Sequence, residues 1–271
     1  MSLSFISDEN FAKHIRKTIE HYGESLEPYD LKKFNGNIID PIKLLFDKNV
    51  YGASWEEIIR SEIFRQRDKS NNNSIGYFHQ NIFRHIAYCT VPKTGWDVVF
   101  KRDGGIDLDG DKVSTIYVEM KNKHNTMNSS SSAKTFMKMQ EQLLQDDNCA
   151  CFLVEVIAKK SQNIPWTISL DGHKQKHPRI RRVSIDKFYE IVTGKPDSFY
   201  EMCMALPDAI KKLLDESDAL KVPKDSVFSE LKSKAAETPF ELALFMLGFE
   251  TYSGFKDVIP ITESARFKLK P

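Results

Sequence analysis

The chain has 271 residues, 41% of them hydrophobic and 28% charged, and its 39 Lys+Arg against 38 Asp+Glu leave a net charge of +1. This is the composition of a folded globular protein, long enough for one large domain or two modest ones. No apolar run approaches the ~20 residues that cross a bilayer, and the opening MSLSFISDENFAKHIRK lacks a signal-peptide core, so a cytoplasmic, membrane-free protein is expected.

The first third reads as helix. Residues 8–22 have helical apolar spacing behind the cap candidates Ser7 and Asp8. A short helix over 41–48 opens on Pro41. Ser54 can cap a helix to about Gln66; DKSNNNS, 68–74, reads as a polar loop, and Ser74 can cap a further helix through His85. The middle then changes character. WDVVFK at 96–101 and KVSTIYVEMK at 112–121 are β-prone runs, separated by the Gly- and Asp-rich RDGGIDLDGD.

Beyond NKHNTMNSSSS, a helix over 133–145 is expected behind Ser131 or Ser132, followed by a continuous apolar strand, 149–158, suited to the centre of a sheet. Short strands follow at 165–170 and 179–184. SIDKFYEIVTG reads as a helix stopped by Gly194, with more helices at 197–216 and 238–248, the last behind Thr238 and Pro239. The order predicts a single α/β domain: a helical part, 1–92, a catalytic α/β core, 93–185, and a second helical part, 186–271. Cys89, Cys149, Cys151 and Cys203 form no C-x-x-C pair and no zinc pattern; Cys149 and Cys151 read as small buried hydrophobes.

Chemistry concentrates on the two middle strands. If they pair antiparallel about Leu108, opposed positions sum to 216 and Asp97 faces Glu119. Side chains alternate along a strand, so Glu119 and Lys121 share a face, and Asp97, Glu119 and Lys121 converge. A slip of one residue would scatter them. Two close carboxylates offer hard oxygens to Mg²⁺, which can acidify a bound water; a neighbouring lysine can orient that water or offset charge on a phosphodiester in flight. E-x-K alone is common on wet strand faces, but here it follows the β-prone TIYV and opens a β–α–β crossover.

Polar residues on apolar helix stripes extend the set, at ~100° per residue. Glu62 falls near the centre of the Trp55, Ile58, Ile59 and Ile63 stripe, where it serves either as an additional metal carboxylate or as half of a structural ion pair. Gln140 falls within the Phe136, Met139 and Leu143 stripe and can bond near the site or satisfy a backbone group. His79 reads as a satisfied core histidine. The most basic stretch, HKQKHPRIRR at 173–182, either faces DNA through Lys174, Lys176, Arg179, Arg181 and Arg182 or is a solvated face. Lys123, His124, Asn125, Thr126 and Asn128 follow the lysine directly and are candidate DNA contacts.

GWDVVFK and IYVEMKNKHNTMNSSSS resemble the PD-(D/E)xK nuclease superfamily, and more closely a type II restriction endonuclease of the group cleaving GGNCC-type sites. NNNSIGYFHQNIFRHI and RVSIDKFYEIVTGKPDSFYEMCMALPDAIKKLL look like the same group, so the likeness spans roughly residues 50–220. It implies a central mixed sheet flanked by helices, Asp97 and Glu119 as metal carboxylates, Lys121 as the lysine, Mg²⁺ as cofactor, and a homodimer cutting both strands of double-stranded DNA, with a cognate DNA methyltransferase protecting the host. The superfamily's first acid often follows proline, whereas Trp96 precedes Asp97, which leaves Asp103, Asp107 and Asp109 as rivals. The alternatives are a structure-specific or repair nuclease of the superfamily and a catalytically dead DNA-binding protein.

Overall fold

The computed structural model describes residues 3–170, 172–216, 224–235 and 239–249. The chain divides into two compact units, Met1–Glu20 with Ser74–Ala219 and His21–Asn73 with Leu220–Pro271.

The first unit is built on a six-stranded mixed sheet of order β1-β2-β3-β4-β6-β5, formed by β1 (Cys89–Thr90), β2 (Val98–Leu108), β3 (Asp111–Lys123), β4 (Cys149–Ile157), β5 (Asn163–Leu170) and β6 (His173–Ser184). β3–β4 and β4–β6 are parallel, and the other pairs are antiparallel. β4 lies inside the sheet, and all its residues from Cys149 to Glu155 are buried. That explains its unbroken apolar sequence, since both faces are covered. On one face Val98, Phe100, Ile116, Val118, Phe152 and Val154 join Phe83, Phe188 and Tyr189 in a core. On the other, Cys151, Leu153 and Ile180 pack with Trp166 and with Phe136 and Met139 of α5 (Ser129–Gln145).

The β2–β3 hairpin turns at Asp109–Gly110, both at positive φ (56° and 90°), as a two-residue hairpin requires. Its tip pairs sum to 219 (Leu108↔Asp111, Ile106↔Val113). Residues 102–105 then bulge opposite Ser114, and beyond them the sum is 216 (Lys101↔Thr115, Val98↔Val118). The turn therefore does not centre on Leu108; the three extra residues of this bulge bring the base of the hairpin into the 216 register. Gly105, at φ 75°, supplies the left-handed conformation in that bulge.

Helical boundaries differ from expectation in two informative places. DKSNNNS is not a loop: α4 runs unbroken over Trp55–Asn81. Weak helix formers are carried there by side-chain bonds, Ser25 Oγ to Asn71 Oδ1 at 2.8 Å and Asn72 Nδ2 to Asp68 Oδ2 at 2.8 Å. α5 begins earlier than expected because Asn128, not Ser131 or Ser132, is its cap and accepts from the Ser131 N–H at 2.8 Å. α1 (Asp8–Ser25), α6 (Ile185–Thr193, ended by Gly194 at φ 73°) and α7 (Ser198–Asp215) complete the helices of this part of the chain.

In the second unit α2 (Leu31–Asn35), α3 (Pro41–Tyr51), α8 (Val227–Lys234) and α9 (Phe240–Phe249) share a core with the early turns of α4: Phe34, Leu44, Ile59, Ile63, Val227, Leu231 and Leu244. The short α2 and α8 were not expected, being too brief to show a period. Thr238, the expected cap of α9, lies outside the described residues. No described helix is long and apolar enough to cross a membrane.

Where α1 meets the end of α4, His14 is 6% exposed and donates from Nε2 to the Phe78 carbonyl at 2.9 Å. Burial lowers its pKa to about 4, and does the same to His79. His79 is half-buried, and its Nδ1 has no hydrogen-bond partner among the described residues, so it is not the satisfied core histidine expected. A histidine whose folded pKa lies below its unfolded value of ~6.5 binds its proton mainly in the unfolded chain. Stability is therefore complete above pH ~6.5 and is lost as pH falls toward 4. Urea unfolding of wild type should show this loss, up to about 3 kcal/mol for His14. His14→Gln, which keeps a donor for Phe78, should lose less between pH 6.5 and 5; identical profiles would contradict a neutral buried His14.

Candidate active site

Three predicted residues meet at the base of the hairpin. The Asp97 N–H donates to the Val118 carbonyl at 2.9 Å, continuing the 216 register one residue past Val98. Asp97 thus lies across from Glu119. Its Oδ2 also accepts from the Met120 N–H at 2.7 Å, which ties the carboxylate to β3 itself. Gln80 of α4 donates to the Asp97 carbonyl at 3.2 Å. Val98, Val118 and Met120 point into the core on one face, so Asp97, Glu119 and Lys121 share the other face by alternation. Asp103 falls in the bulge, and Asp107 and Asp109 lie at the tip, several pairs from Glu119.

Each oxygen of Glu119 holds a lysine: Lys121 Nζ is 2.8 Å from Oε1 and Lys138 Nζ is 2.9 Å from Oε2. Burial alone would raise the Glu119 pKa, but hydrogen bonds from Lys121 and Lys138 outweigh it and hold the carboxyl below its usual range. Asp97 shifts the other way. Burial raises it, the Met120 N–H opposes that, and the charge of Glu119 adds to the rise. The two acids are thus electrostatically coupled, as carboxylates around a shared cation are. Among the described residues no three His, Cys, Asp or Glu side chains group as a complete metal cage. Two carboxylates offer hard oxygens of the kind that divalent cations take.

Lys138 was not anticipated. It lies outside the Phe136, Met139 and Leu143 stripe, and only its long side chain brings it to Glu119. Contacts spanning 19 residues, to Glu119, and 43, to Gly95, leave no local pattern. Gln140 does the opposite: it is exposed, because the buried side of α5 is skewed toward Thr135 and Gln142. Gln142 instead accepts from Trp96 Nε1 at 3.1 Å. Glu62 is 5% exposed in the core of the second unit, where Arg65 Nε donates to Oε2 at 2.7 Å and Gln66 Nε2 to Oε1 at 3.1 Å. Both its oxygens are taken, as in the structural ion-pair reading.

The polar segment after Lys121 leaves Lys123 and Asn125 exposed, while Asn128, also exposed, caps α5. His124 is fixed by its backbone: its N–H donates to Ile157 and its carbonyl accepts from Arg182 at 3.0 Å. The basic stretch does not form one surface. It lies in β6, which runs parallel to β4 with Cys151 beside Ile180 and Glu155 beside Ser184. Lys174 and Lys176 are exposed, but they lie toward the opposite end of the sheet from Lys121. The eight residues from Lys176 to Ser184 span roughly 25 Å of strand. Arg179 forks onto Asp111 at 2.6 and 2.8 Å, and Arg181, 3% exposed, bonds Asn163 at 2.6 and 2.7 Å and Asp109 at 2.9 Å. Only Arg182 stands at the catalytic end.

Arg182 also pairs with Glu155, which is 2% exposed and sits beside Lys121 in the β3–β4 register. Removing one partner of a buried pair leaves an uncompensated charge, so Arg182→Ala should cost about 3–5 kcal/mol in urea unfolding. Adding Glu155→Gln should recover much of it. A cost below about 1 kcal/mol, the range of surface pairs, would contradict this account.

A mixed α/β sheet with helices on both faces is the architecture of restriction endonuclease-like proteins. Comparison with known proteins is specific. Residues 3–215 match the Eco47II restriction endonuclease family model. The type II restriction enzyme Sau96I of Staphylococcus aureus is 31% identical over 241 residues, covering 86% of this chain and 89% of that protein. The type II restriction enzyme Eco47II of Escherichia coli is 33% identical over 227 residues, covering 79% and 89%. The chain belongs to the Eco47II restriction endonuclease family, and is a type II site-specific deoxyribonuclease acting on double-stranded DNA. Enzymes of this type generally need a divalent metal ion.

Proposed function

We propose that this endonuclease cleaves short G/C-rich palindromes such as GGNCC, using Mg²⁺ held by Asp97 and Glu119, with Lys121 as the catalytic lysine. The observation that carries the reading is the convergence of these three side chains at the base of one hairpin. When bound, Mg²⁺ supplies an acidified water and charge stabilisation at phosphorus. Asp97 and Glu119 would supply the carboxylate oxygens that hold the ion. Lys121, bonded to Glu119, is held where it can orient the attacking water and face a phosphate oxygen. The Met120 N–H keeps Asp97 aligned throughout. The GGNCC preference rests on the resemblance of EMKNKHNTMN and its flanks to the group that cleaves such sites. Guanine-rich readout also suits Arg and Lys donors in the major groove.

Lys123, His124, Asn125 and Asn128 are proposed to contact DNA, because the scissile phosphate must lie beside Lys121. Arg182, which holds the His124 carbonyl, supports that segment. Lys174 and Lys176 could reach only more distant phosphates. A palindrome matches a two-fold homodimer, and a methyltransferase of the same specificity would protect the host genome.

Digestion of plasmid DNA in Mg²⁺ tests the reading. Discrete fragments with ends at G/C-rich palindromes are expected; a smear indicates a structure-specific or repair nuclease, and a mobility shift without cleavage a binding protein. Glu119→Ala and Lys121→Ala should each abolish cleavage while leaving the fold intact. Glu119→Ala cutting within a few-fold of wild type would sink the site assignment.

A further inference from the structure

We propose that Lys138 is a second catalytic lysine of this site, contacting the scissile phosphate from the side of Glu119 opposite Lys121. The inference rests on the reading that Asp97, Glu119 and Lys121 form the cleavage site. Its own support is the way Lys138 is mounted. Its Nζ donates to the Gly95 carbonyl at 2.5 Å and to Glu119 Oε2 at 2.9 Å, and lies 4.1 Å from the centre of the Trp96 ring.

An ammonium has three protons. Two find protein hydrogen-bond acceptors here, and the third N–H is left to share between the Trp96 face and an incoming anion. The side chain is 37% exposed.

The mount is rigid. Trp96 is fixed by the bond from its Nε1 to Gln142 Oε1 at 3.1 Å and by its contact with the Tyr117 ring at 5.6 Å. Phe136 and Met139 anchor α5 in the core below. Gly95, Trp96 and Asp97 are consecutive, so the segment that presents the first acid also presents the seat of Lys138. Glu119 alone would need one cation, and Lys121 already provides it on Oε1. A second ammonium on the other oxygen adds positive charge where a phosphodiester arrives. A cation held by Glu119 would compete with Lys138 for Oε2, while the Gly95 and Trp96 contacts would remain to hold the ammonium in place.

The rival role is a brace: Lys138 simply orients Glu119 and never touches DNA. Lys138→Met separates the two, since it keeps the stem on Trp96 and removes the charge. Two readouts are needed: single-turnover cleavage of a cognate duplex in Mg²⁺, and equilibrium binding of that duplex without divalent metal across a salt series. Contact predicts cleavage slower by about 10²-fold and a binding slope in log salt shallower by about 0.9, one phosphate contact. Lys138→Arg should restore much of both.

An unchanged slope overturns the proposal even if cleavage slows, since a brace would do that. Cleavage within about three-fold of wild type overturns it as well. Lys121→Met run in parallel distinguishes the two levels: if it cuts like wild type, the underlying site is wrong, whereas if it is dead and Lys138→Met is normal, only the second lysine fails. Should Lys138→Met unfold, Lys138→Gln, which retains a donor for Gly95, carries the same comparison.

Discussion

The antiparallel register of β2 against β3 places Asp97 across from Glu119, and the bond from the Met120 N–H to Asp97 Oδ2 holds it there at 2.7 Å. The hairpin turns in a register that sums to 219, and the bulge at 102–105, four residues opposite one, converts this to 216. A strand has a period of two, so an odd slip exchanges its faces. Without the bulge the two acids would not meet. Bulges of this kind re-aim side chains beside active sites.

Around that ribbon the charges are arranged in opposition. Burial lifts the Asp97 pKa, while hydrogen bonds from Lys121 and Lys138 hold that of Glu119 down. Two lysines satisfy Glu119, one from its own strand and one from the crossover helix. The Glu155–Arg182 pair lies beside Lys121 on the next strands, and Arg182 pins the carbonyl of His124 where the chain leaves β3. The arginines that look most suited to DNA in the sequence are committed elsewhere. Arg179 clips the hairpin tip at Asp111, and Arg181 is buried against β5.

Alternation and apolar runs made the ribbon, the crossover helix and the central strand β4 legible, since each rests on a local period. The shared face of Glu119 and Lys121 was legible for the same reason; the pairing of Asp97 with Glu119 was reached from a turn centred on Leu108, and it holds only because the bulge restores the 216 register. The exact turn was not legible, because the bulge depends on which of several Gly and Asp residues takes positive φ. The continuity of α4 through DKSNNNS was hidden because tertiary bonds such as Ser25 to Asn71 override weak local propensity. Lys138 and the Glu155–Arg182 pair were invisible for a third reason. Their partners lie on different strands or helices, and no periodicity links positions 95, 119 and 138, or 124, 155 and 182. The stripe that suggested Gln140 was off by a fraction of a turn, which is enough to move a side chain into solvent.

The central claim is that Asp97 and Glu119 form one divalent-metal site. Anomalous scattering from crystals soaked in Mn²⁺, a stand-in for Mg²⁺ with a usable signal, tests it most directly. The account predicts a peak between the two carboxylates, with Lys138 withdrawn from Glu119 Oε2 and still seated on Gly95. A peak bound elsewhere, or none at Asp97 and Glu119 in crystals of a cleavage-competent protein, would contradict it.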